Sequence, residues 1–64
     1  MEATVGGTTL SLDYIVYRAT DPYAEINGEE IHVGSAIGGF RLDSVERDRV
    51  RLTDGRRIIV LKAP

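Results

Sequence analysis

Short apolar–polar alternations run along most of this chain, and their period of two predicts β-strands. The first predicted strand covers residues 10–19, and its apolar face carries Leu10, Leu12, Tyr14 and Val16. Five more short runs follow, at residues 23–26, 29–33, 40–46, 49–53 and 57–61. No segment has the 3.6-residue period of an amphipathic helix. The pattern predicts an all-β fold, a small antiparallel barrel or sandwich of about six short strands.

Tight turns separate the predicted strands. Asn27-Gly28 fits a type I′ turn, because Asn tolerates a left-handed backbone and Gly has no Cβ to obstruct one. Asp54-Gly55 predicts a second hairpin turn by the same reasoning. Gly38-Gly39 gives the backbone freedom to turn before the strand at 40–46. The chain therefore folds back on itself at short, regular intervals.

The strand at residues 40–46 interrupts its own alternation. Phe40 and Leu42 share a face, whereas Val45 is out of phase with them. One extra residue near Asp43-Ser44, a β-bulge, would return Val45 to the core face and bend the strand. We therefore predict a bulge at this point.

Two stretches are predicted to lie outside the strands. Residues 1–9 are small and Gly-rich, so we expect a flexible N-terminal arm or linker remnant. Residues 10–62 then form a single β-domain. Pro22 is expected to hold Asp21 extended and to separate the first strand from the second.

Composition narrows the class of protein only slightly. The chain has 64 residues, no cysteine, a hydrophobic content of 42% and a formal net charge of -2. A chain of this length can form one folded domain, and without cysteine it has no disulfide bonds. Nucleic-acid binding is not expected, because such proteins usually carry a basic excess. No apolar run approaches the ~20 residues of a membrane-spanning helix, and no signal peptide is visible.

The residues offer little catalytic chemistry. His32 has no second His or Cys to share a metal ion, so we expect a surface strand residue. Glu29 and Glu30 are adjacent on a strand and face opposite ways, so they do not form an acid–base pair. Gly38-Gly39 lacks the Lys and the following helix of a phosphate-binding loop. We predict a protein that is not an enzyme and holds no cofactor or metal.

Two features could bind a partner. Five arginines gather in the C-terminal third, and they are Arg47, Arg49, Arg51, Arg56 and Arg57. They indicate either an anionic ligand or a solvated face interleaved with acidic residues, and the second interpretation is favoured. A sheet that does not fully close also leaves an edge strand, which can accept a strand from another protein.

Several segments together resemble a known family. They are Tyr17-Arg18-Ala19-Thr20-Asp21-Pro22, Ala24-x-Ile26-Asn27-Gly28, Val33-Gly34, Ile37-Gly38-Gly39-Phe40-x-Leu42, Val45-x-x-Asp48-x-Val50-x-Leu52 and Gly55-Arg56-Arg57. The pattern resembles the periplasmic β-domains of type II secretion inner-membrane proteins. These are the C-terminal domain of general secretion pathway protein B and the homology region of protein C, and pilus assembly protein P is similar. The resemblance covers about residues 10–61.

The resemblance implies a six-stranded antiparallel barrel or sandwich without catalytic residues. It implies a periplasmic location, with an inner-membrane tether in a segment outside this chain. The implied partners are the N-terminal domain of the outer-membrane secretin and other inner-membrane secretion components. One departure matters: protein B commonly has basic residues directly after Asn-Gly, where this chain has Glu29 and Glu30. Contact with a partner through basic residues is therefore not expected at that position.

The sequence predicts a set of partner-binding residues, chosen from the strands that are apolar on both faces and from the arginines. It consists of Tyr14, Ile15, Val16, Tyr17, Arg49, Arg51 and Ile59. The predicted function is a non-catalytic scaffold that docks the secretin by strand addition. A small β-barrel that binds nucleic acid or another anionic ligand is the alternative. The sequence leaves homodimerisation open.

Overall fold

Eight β-strands make up this computed structural model, which describes residues 1–64. The strands are β1 (Glu2–Val5), β2 (Thr8–Val16), β3 (Tyr23–Ile26), β4 (Glu29–His32), β5 (Ala36–Ile37), β6 (Phe40–Val45), β7 (Arg49–Thr53) and β8 (Ile58–Lys62). They form two four-stranded antiparallel sheets, in the orders β1-β2-β3-β4 and β5-β6-β7-β8. The predicted all-β antiparallel fold is confirmed. The sheets do not close into a barrel.

One apolar core joins the two sheets. The first sheet contributes Leu10, Leu12, Ala24, Ile26 and Ile31. The second contributes Ile37, Phe40, Leu42, Val50, Leu52, Ile59 and Leu61. Since no polar side chain is buried, the core is held by apolar packing alone, and each sheet covers the inner face of the other.

A β-bulge corrects the phase of the second strand in each sheet. The register of β6 with β7 shifts between Leu42 and Ser44, as predicted, and Val45 packs against the core. A matching shift between Leu12 and Tyr14 in β2 was not predicted. It turns Ile15 toward the core and leaves Tyr14 on the outer face. The predicted shared face of Leu12 and Tyr14 is therefore wrong, because the extra residue reverses the alternation.

The predicted Asn27-Gly28 hairpin is confirmed, and its asparagine does more than turn the chain. Asn27 and Gly28 have φ values of 54° and 78°, both left-handed. The Ser11 N–H donates to Asn27 Oδ1 at 2.8 Å, and Asn27 Nδ2 donates to the Thr9 carbonyl at 3.0 Å. The Asn27 amide thereby continues the pairing of β2 beyond the end of β3. Gly28 N–H donates to Asp13 Oδ2 at 3.1 Å, which ties the turn to the β2 bulge.

Most of the first nine residues lie in strands, so they do not form the expected arm. Glu2–Val5 pair with Thr8–Ser11 around a Gly6-Gly7 turn. Ala3 and Val5 pack against the core. The alternation is hard to see in the sequence because β1 has only small apolar residues. The first sheet therefore starts at residue 2, and the predicted domain boundary at residue 10 is wrong. With the two-residue β5, β1 also raises the strand count from about six to eight.

Two loop predictions also need correction. Asp21 is not extended, since its φ of 50° is left-handed. Its carbonyl accepts from Arg18 Nε at 3.1 Å and its carboxylate meets His32, so side-chain contacts override the bias of Pro22. The strand predicted at residues 29–33 ends one residue early, at His32, and Val33 is exposed in the next turn.

Asp54 organises the turn between β7 and β8. Its Oδ1 accepts from the backbone N–H groups of Arg56 and Arg57, at 2.8 and 2.7 Å. The Arg57 guanidinium bonds to Oδ2. The backbone donors of Arg57 and Arg56 lower the pKa of Asp54 to about 2. Asp54-Gly55 is therefore part of a turn, as predicted. Gly55 and Arg56 are the central residues of this turn, and Asp54 precedes them and accepts the hydrogen bonds that hold it together.

We expect the Asn27 amide to contribute to stability separately from its backbone conformation. Asn27→Gly keeps the left-handed turn but removes two side-chain hydrogen bonds, so it should lower the free energy of unfolding by about 1–2 kcal/mol. Asn27→Ala should cost about 1 kcal/mol more, because a Cβ is strained in that conformation. Urea unfolding of the three proteins measures both effects. A glycine variant as stable as the parent would show that the amide bonds contribute nothing.

Candidate functional site

The backbone of β4 presents an unpaired strand edge. In a two-residue hairpin the residues flanking the turn bond to each other, so Glu29 and Ile31 direct their backbone groups at β3. The backbone groups of Glu30 and His32 must then point away from the sheet. The His32 carbonyl accepts from Ser35 N–H at 2.9 Å, and no other backbone bond reaches these two residues from outside the sheet. The Glu30 N–H and C=O and the His32 N–H remain available.

The other long edge is less open. Strand β8 ends the second sheet, and β1 lies beside it without forming a ladder. The Lys62 N–H donates to the Met1 sulfur at 3.1 Å, so part of this edge is already in contact with the N-terminus. Strand β4 is therefore the edge best placed to accept a strand.

Acidic and aromatic side chains cover the outer face of the first sheet beside this edge. The β3–β4 register sets Glu25 directly opposite Glu30 and Tyr23 directly opposite His32. Tyr14 lies opposite Glu25 on β2. We call these five residues the acidic face. Like charges placed directly opposite destabilise a strand pair, so the Glu25–Glu30 pair is unfavourable for the fold.

His32 offsets part of that charge. Its Nδ1 lies 2.7 Å from Asp21 Oδ1 and its Nε2 lies 2.6 Å from Glu30 Oε2. A carboxylate only accepts hydrogen bonds, so both bonds form together when both ring nitrogens carry hydrogen, as they do in the imidazolium form of His32. The bonds to Glu30 and, next, to Asp21 raise the pKa of His32 above its ordinary value. Neither ring nitrogen keeps a lone pair for a metal in this arrangement.

Aromatic contacts complete the acidic face. The Tyr23 ring lies 5.1 Å from the His32 ring, and Arg18 stacks on Tyr23 with its guanidinium carbon 5.2 Å from the ring centre. The Glu25 carboxylate raises the pKa of the Tyr14 phenol. Glu25 and Glu30 thus each have a local partner, while their carboxylates stay at the surface.

Basic side chains cover the outer face of the second sheet. We call Arg41, Arg49, Arg51, Val60 and Lys62 the basic face. Arg49 and Lys62 lie directly opposite each other, a second like-charge pair. Arg49 forms two hydrogen bonds to Asp48, at 3.1 and 3.2 Å, which raise its pKa and lower that of Asp48. Arg51 bonds to Glu46 at 3.3 Å.

The structure separates the predicted partner-binding residues. Tyr14 is exposed on the first sheet, while Arg49 and Arg51 lie on the outer face of the second. Ile15 and Val16 are half-buried. Tyr17 is 53% exposed beyond the end of β2, where the Arg47 guanidinium carbon lies 5.0 Å above its ring. The nominated set is therefore not one surface.

Ile59 does not fit the prediction, because its side chain is buried in the core. It pairs with Leu52, and both point inward. The exposed isoleucine is its neighbour Ile58, with 67% of its surface accessible. A continuous apolar run hides the phase of its strand, and the assignment was therefore one residue out.

The sequence already contained the signal for the acidic face. A two-residue turn at Asn27-Gly28 fixes Glu25 opposite Glu30 and Tyr23 opposite His32 without further information. The prediction considered Glu29 and Glu30 only as neighbours along the strand. Asp21 could not be placed in this way, because its position depends on an irregular loop.

An open groove of about 300 Å³ lies at the end of the second sheet. Its lining residues are Ala36, Gly39, Phe40, Arg41, Thr53, Asp54 and Gly55. The Asp54 carboxylate is already bonded to Arg56 and Arg57, and the Thr53 hydroxyl accepts from Gly55 N–H. The groove therefore brings no free acid–base pair together.

Comparisons with known proteins give no relative for this chain. No protein-family model matches it, and neither a curated protein nor a solved structure does. The structure contains no helix that is long and apolar enough to span a membrane. It also places no group of three or more His, Cys, Asp and Glu side chains where they could hold a metal ion.

We expect His32 to make stability depend on pH. Its native pKa is raised, so its stabilising contribution is complete below the unfolded value of about 6.5 and is lost as pH rises through the native pKa. The urea midpoint of the parent should exceed that of His32→Gln most at about pH 5.5, and the difference should shrink by about pH 8.5.

The partners of His32 can be ranked by NMR titration of its imidazole. Glu30→Gln should lower the His32 pKa more than Asp21→Asn does, because Glu30 makes the larger contribution. Asn is the matched replacement at position 21, since it tolerates the left-handed backbone there. An imidazole that titrates at its ordinary pKa in the parent would contradict the assigned bonds.

Proposed function

We propose that this protein is a non-catalytic interaction domain that docks a β-strand of a partner protein along β4. The observation that carries the proposal is the unpaired backbone of Glu30, whose N–H and C=O point away from the sheet at an exposed edge. An added strand would satisfy these groups and extend the first sheet to five strands. Backbone bonds would supply the attraction, and side chains would set the specificity.

The charge of the edge indicates the chemistry of the docked strand. Glu29 and Glu30 are exposed on β4, and Glu25 lies directly opposite Glu30 on β3. A strand with Lys or Arg at alternate positions would complement this charge, whereas an acidic strand would be repelled. The edge is only four residues long, so we expect docking to be weak and reversible.

The resemblance to type II secretion and pilus proteins supplies a partner class. On this proposal the partner is the periplasmic N-terminal domain of a secretin, and the protein is the periplasmic part of an inner-membrane-anchored component. The acidic residues after Asn27-Gly28 would then demand a basic strand from that secretin. A module for nucleic acid or other anions ranks second, because the formal net charge of the chain is -2 and nucleic-acid-binding proteins usually carry a basic excess.

Replacing one outward N–H tests the docking edge. Glu30→Pro removes an edge donor without breaking a bond to β3, and Glu30→Gln removes the same charge but keeps the donor. We titrate the ¹⁵N-labelled domain with the secretin N-terminal domain from the same organism. In the parent, amide shifts should concentrate at residues 29–33, and the Pro variant should bind at least about tenfold more weakly than the Gln variant.

The comparison of the two variants separates backbone docking from charge. Equal binding by the Pro and Gln variants would exclude strand addition at β4. Amide shifts confined to the basic face would assign the contact to the other sheet. No shift at high micromolar partner concentration would remove the secretin as the partner. Circular dichroism and urea unfolding confirm that each variant is folded.

A further inference from the structure

The two outer faces of the molecule carry opposite unfavourable charge pairs. Glu25 lies directly opposite Glu30 on the acidic face, and Arg49 lies directly opposite Lys62 on the basic face. Each pair is adjacent to a hydrogen-bonded pair, Ile26–Glu29 in the first sheet and Asp48–Ala63 in the second. Both are therefore non-hydrogen-bonded pairs, in which opposite side chains come closest to each other. Like charges there destabilise each sheet in isolation.

The whole chain shows the same division of charge. Residues 1–34 contain six Asp and Glu against one Arg, and residues 35–64 contain seven Lys and Arg against four Asp and Glu. The first 34 residues supply the first sheet and the last 30 supply the second. The small net charge of the chain hides a molecule that is acidic on one side and basic on the other.

Exposed apolar side chains accompany each charge pair. On the second sheet Ile58 is 67% exposed and Val60 is half-buried, in the strand that carries Lys62. On the first sheet Tyr14 is 45% exposed and Val16 is half-buried, beside Glu25. Each face thus combines apolar surface with two like charges, and the two faces complement each other in sign.

We propose that the basic face of one copy docks on the acidic face of a second copy, head to tail. Arg49 and Lys62 of one molecule would meet Glu25 and Glu30 of the next, and Ile58 and Val60 would approach Tyr14 and Val16. This contact uses outward side chains, whereas the proposed strand docking uses the β4 backbone, and the two contacts share only the charges of Glu25 and Glu30. A symmetric contact between two acidic or two basic faces is disfavoured by repulsion.

The geometry predicts growth beyond a dimer. A head-to-tail contact leaves one free acidic face and one free basic face at the ends of every assembly, unless rotation closes a ring. Sedimentation velocity at low salt, from about 10 μM to about 1 mM, should show a mean mass that rises past the dimer. Raising NaCl to about 0.5 M should return the protein to monomer, because the exposed charges are then screened.

Exchanging the charges tests the pairing itself. Arg49→Glu with Lys62→Glu makes both faces acidic, and Glu25→Lys with Glu30→Lys makes both basic. Each double variant alone should lose self-association by at least about tenfold, because like faces now meet. An equimolar mixture of the two should regain it, since every acidic face then finds a basic one. Arg56→Glu with Arg57→Glu is a control of equal charge change at the turn and should associate more strongly than the first variant.

Each outcome decides for or against the contact. A monomeric parent at about 1 mM and low salt, or a mass that stops at the dimer, would overturn it. Self-association of the Arg49→Glu/Lys62→Glu variant at parental strength would do the same, and so would a mixture that stays monomeric. If a charge-exchanged variant unfolds, the salt titration of the parent and the paired Arg49→Gln/Lys62→Gln variant still decide. The Gln pair should weaken association without affecting the binding of a strand at β4.

Discussion

The fold depends on a single apolar core that both sheets must share. Neither sheet has enough inner surface to be stable alone, and no buried polar side chain helps to join them. This requirement explains the two bulges. Without the extra residue after Leu12 and after Leu42, Ile15 and Val45 would face solvent, and each sheet would lose the contact at one end of its second strand. The outer faces are free to vary only because the inner faces are fixed in this way.

Because the core fixes which residues of the β3–β4 hairpin point inward, the register of this hairpin also determines which residues lie opposite each other on the surface. Asn27 holds the turn to β2 through three hydrogen bonds, two by its side-chain amide and one by its backbone N–H. Because Ile26 and Ile31 point into the core, Glu25 and Glu30 must lie opposite each other on the outer face. The acidic face therefore follows directly from the type of turn and from the inward orientation of Ile26 and Ile31. A shift of one residue would bury Glu30 and expose Ile31, so the core itself protects the arrangement.

Much of this could be predicted from the sequence, and the failures have physical causes. The alternation of Val50 and Leu52, the Asn27-Gly28 turn and the Asp43 bulge are local signals, and all three are confirmed. Strand β1 was missed because its side chains are small, and Ile59 was misplaced because a run of four apolar residues has no visible phase. Asp21 was misjudged because a tertiary contact with His32 outweighs the local effect of proline. The division of charge between the sheets was visible in the sequence, but only the topology shows that it separates two faces.

The charge arrangement at the surface is more specific than solubility requires. Mixed charges suit an exposed protein surface best, yet this chain sets like charges opposite each other on both sheets. Each pair then needs a neighbour to relieve it, His32 beside Glu30 and Asp48 beside Arg49. His32 can do so only while it is protonated, and it also bonds to the loop residue Asp21, whose backbone is left-handed. An arrangement that costs stability in the isolated molecule and is relieved by opposite charge is the arrangement that a charged partner would stabilise. This is the physical reason for proposing a function at the edges and outer faces of the sheets rather than at the groove.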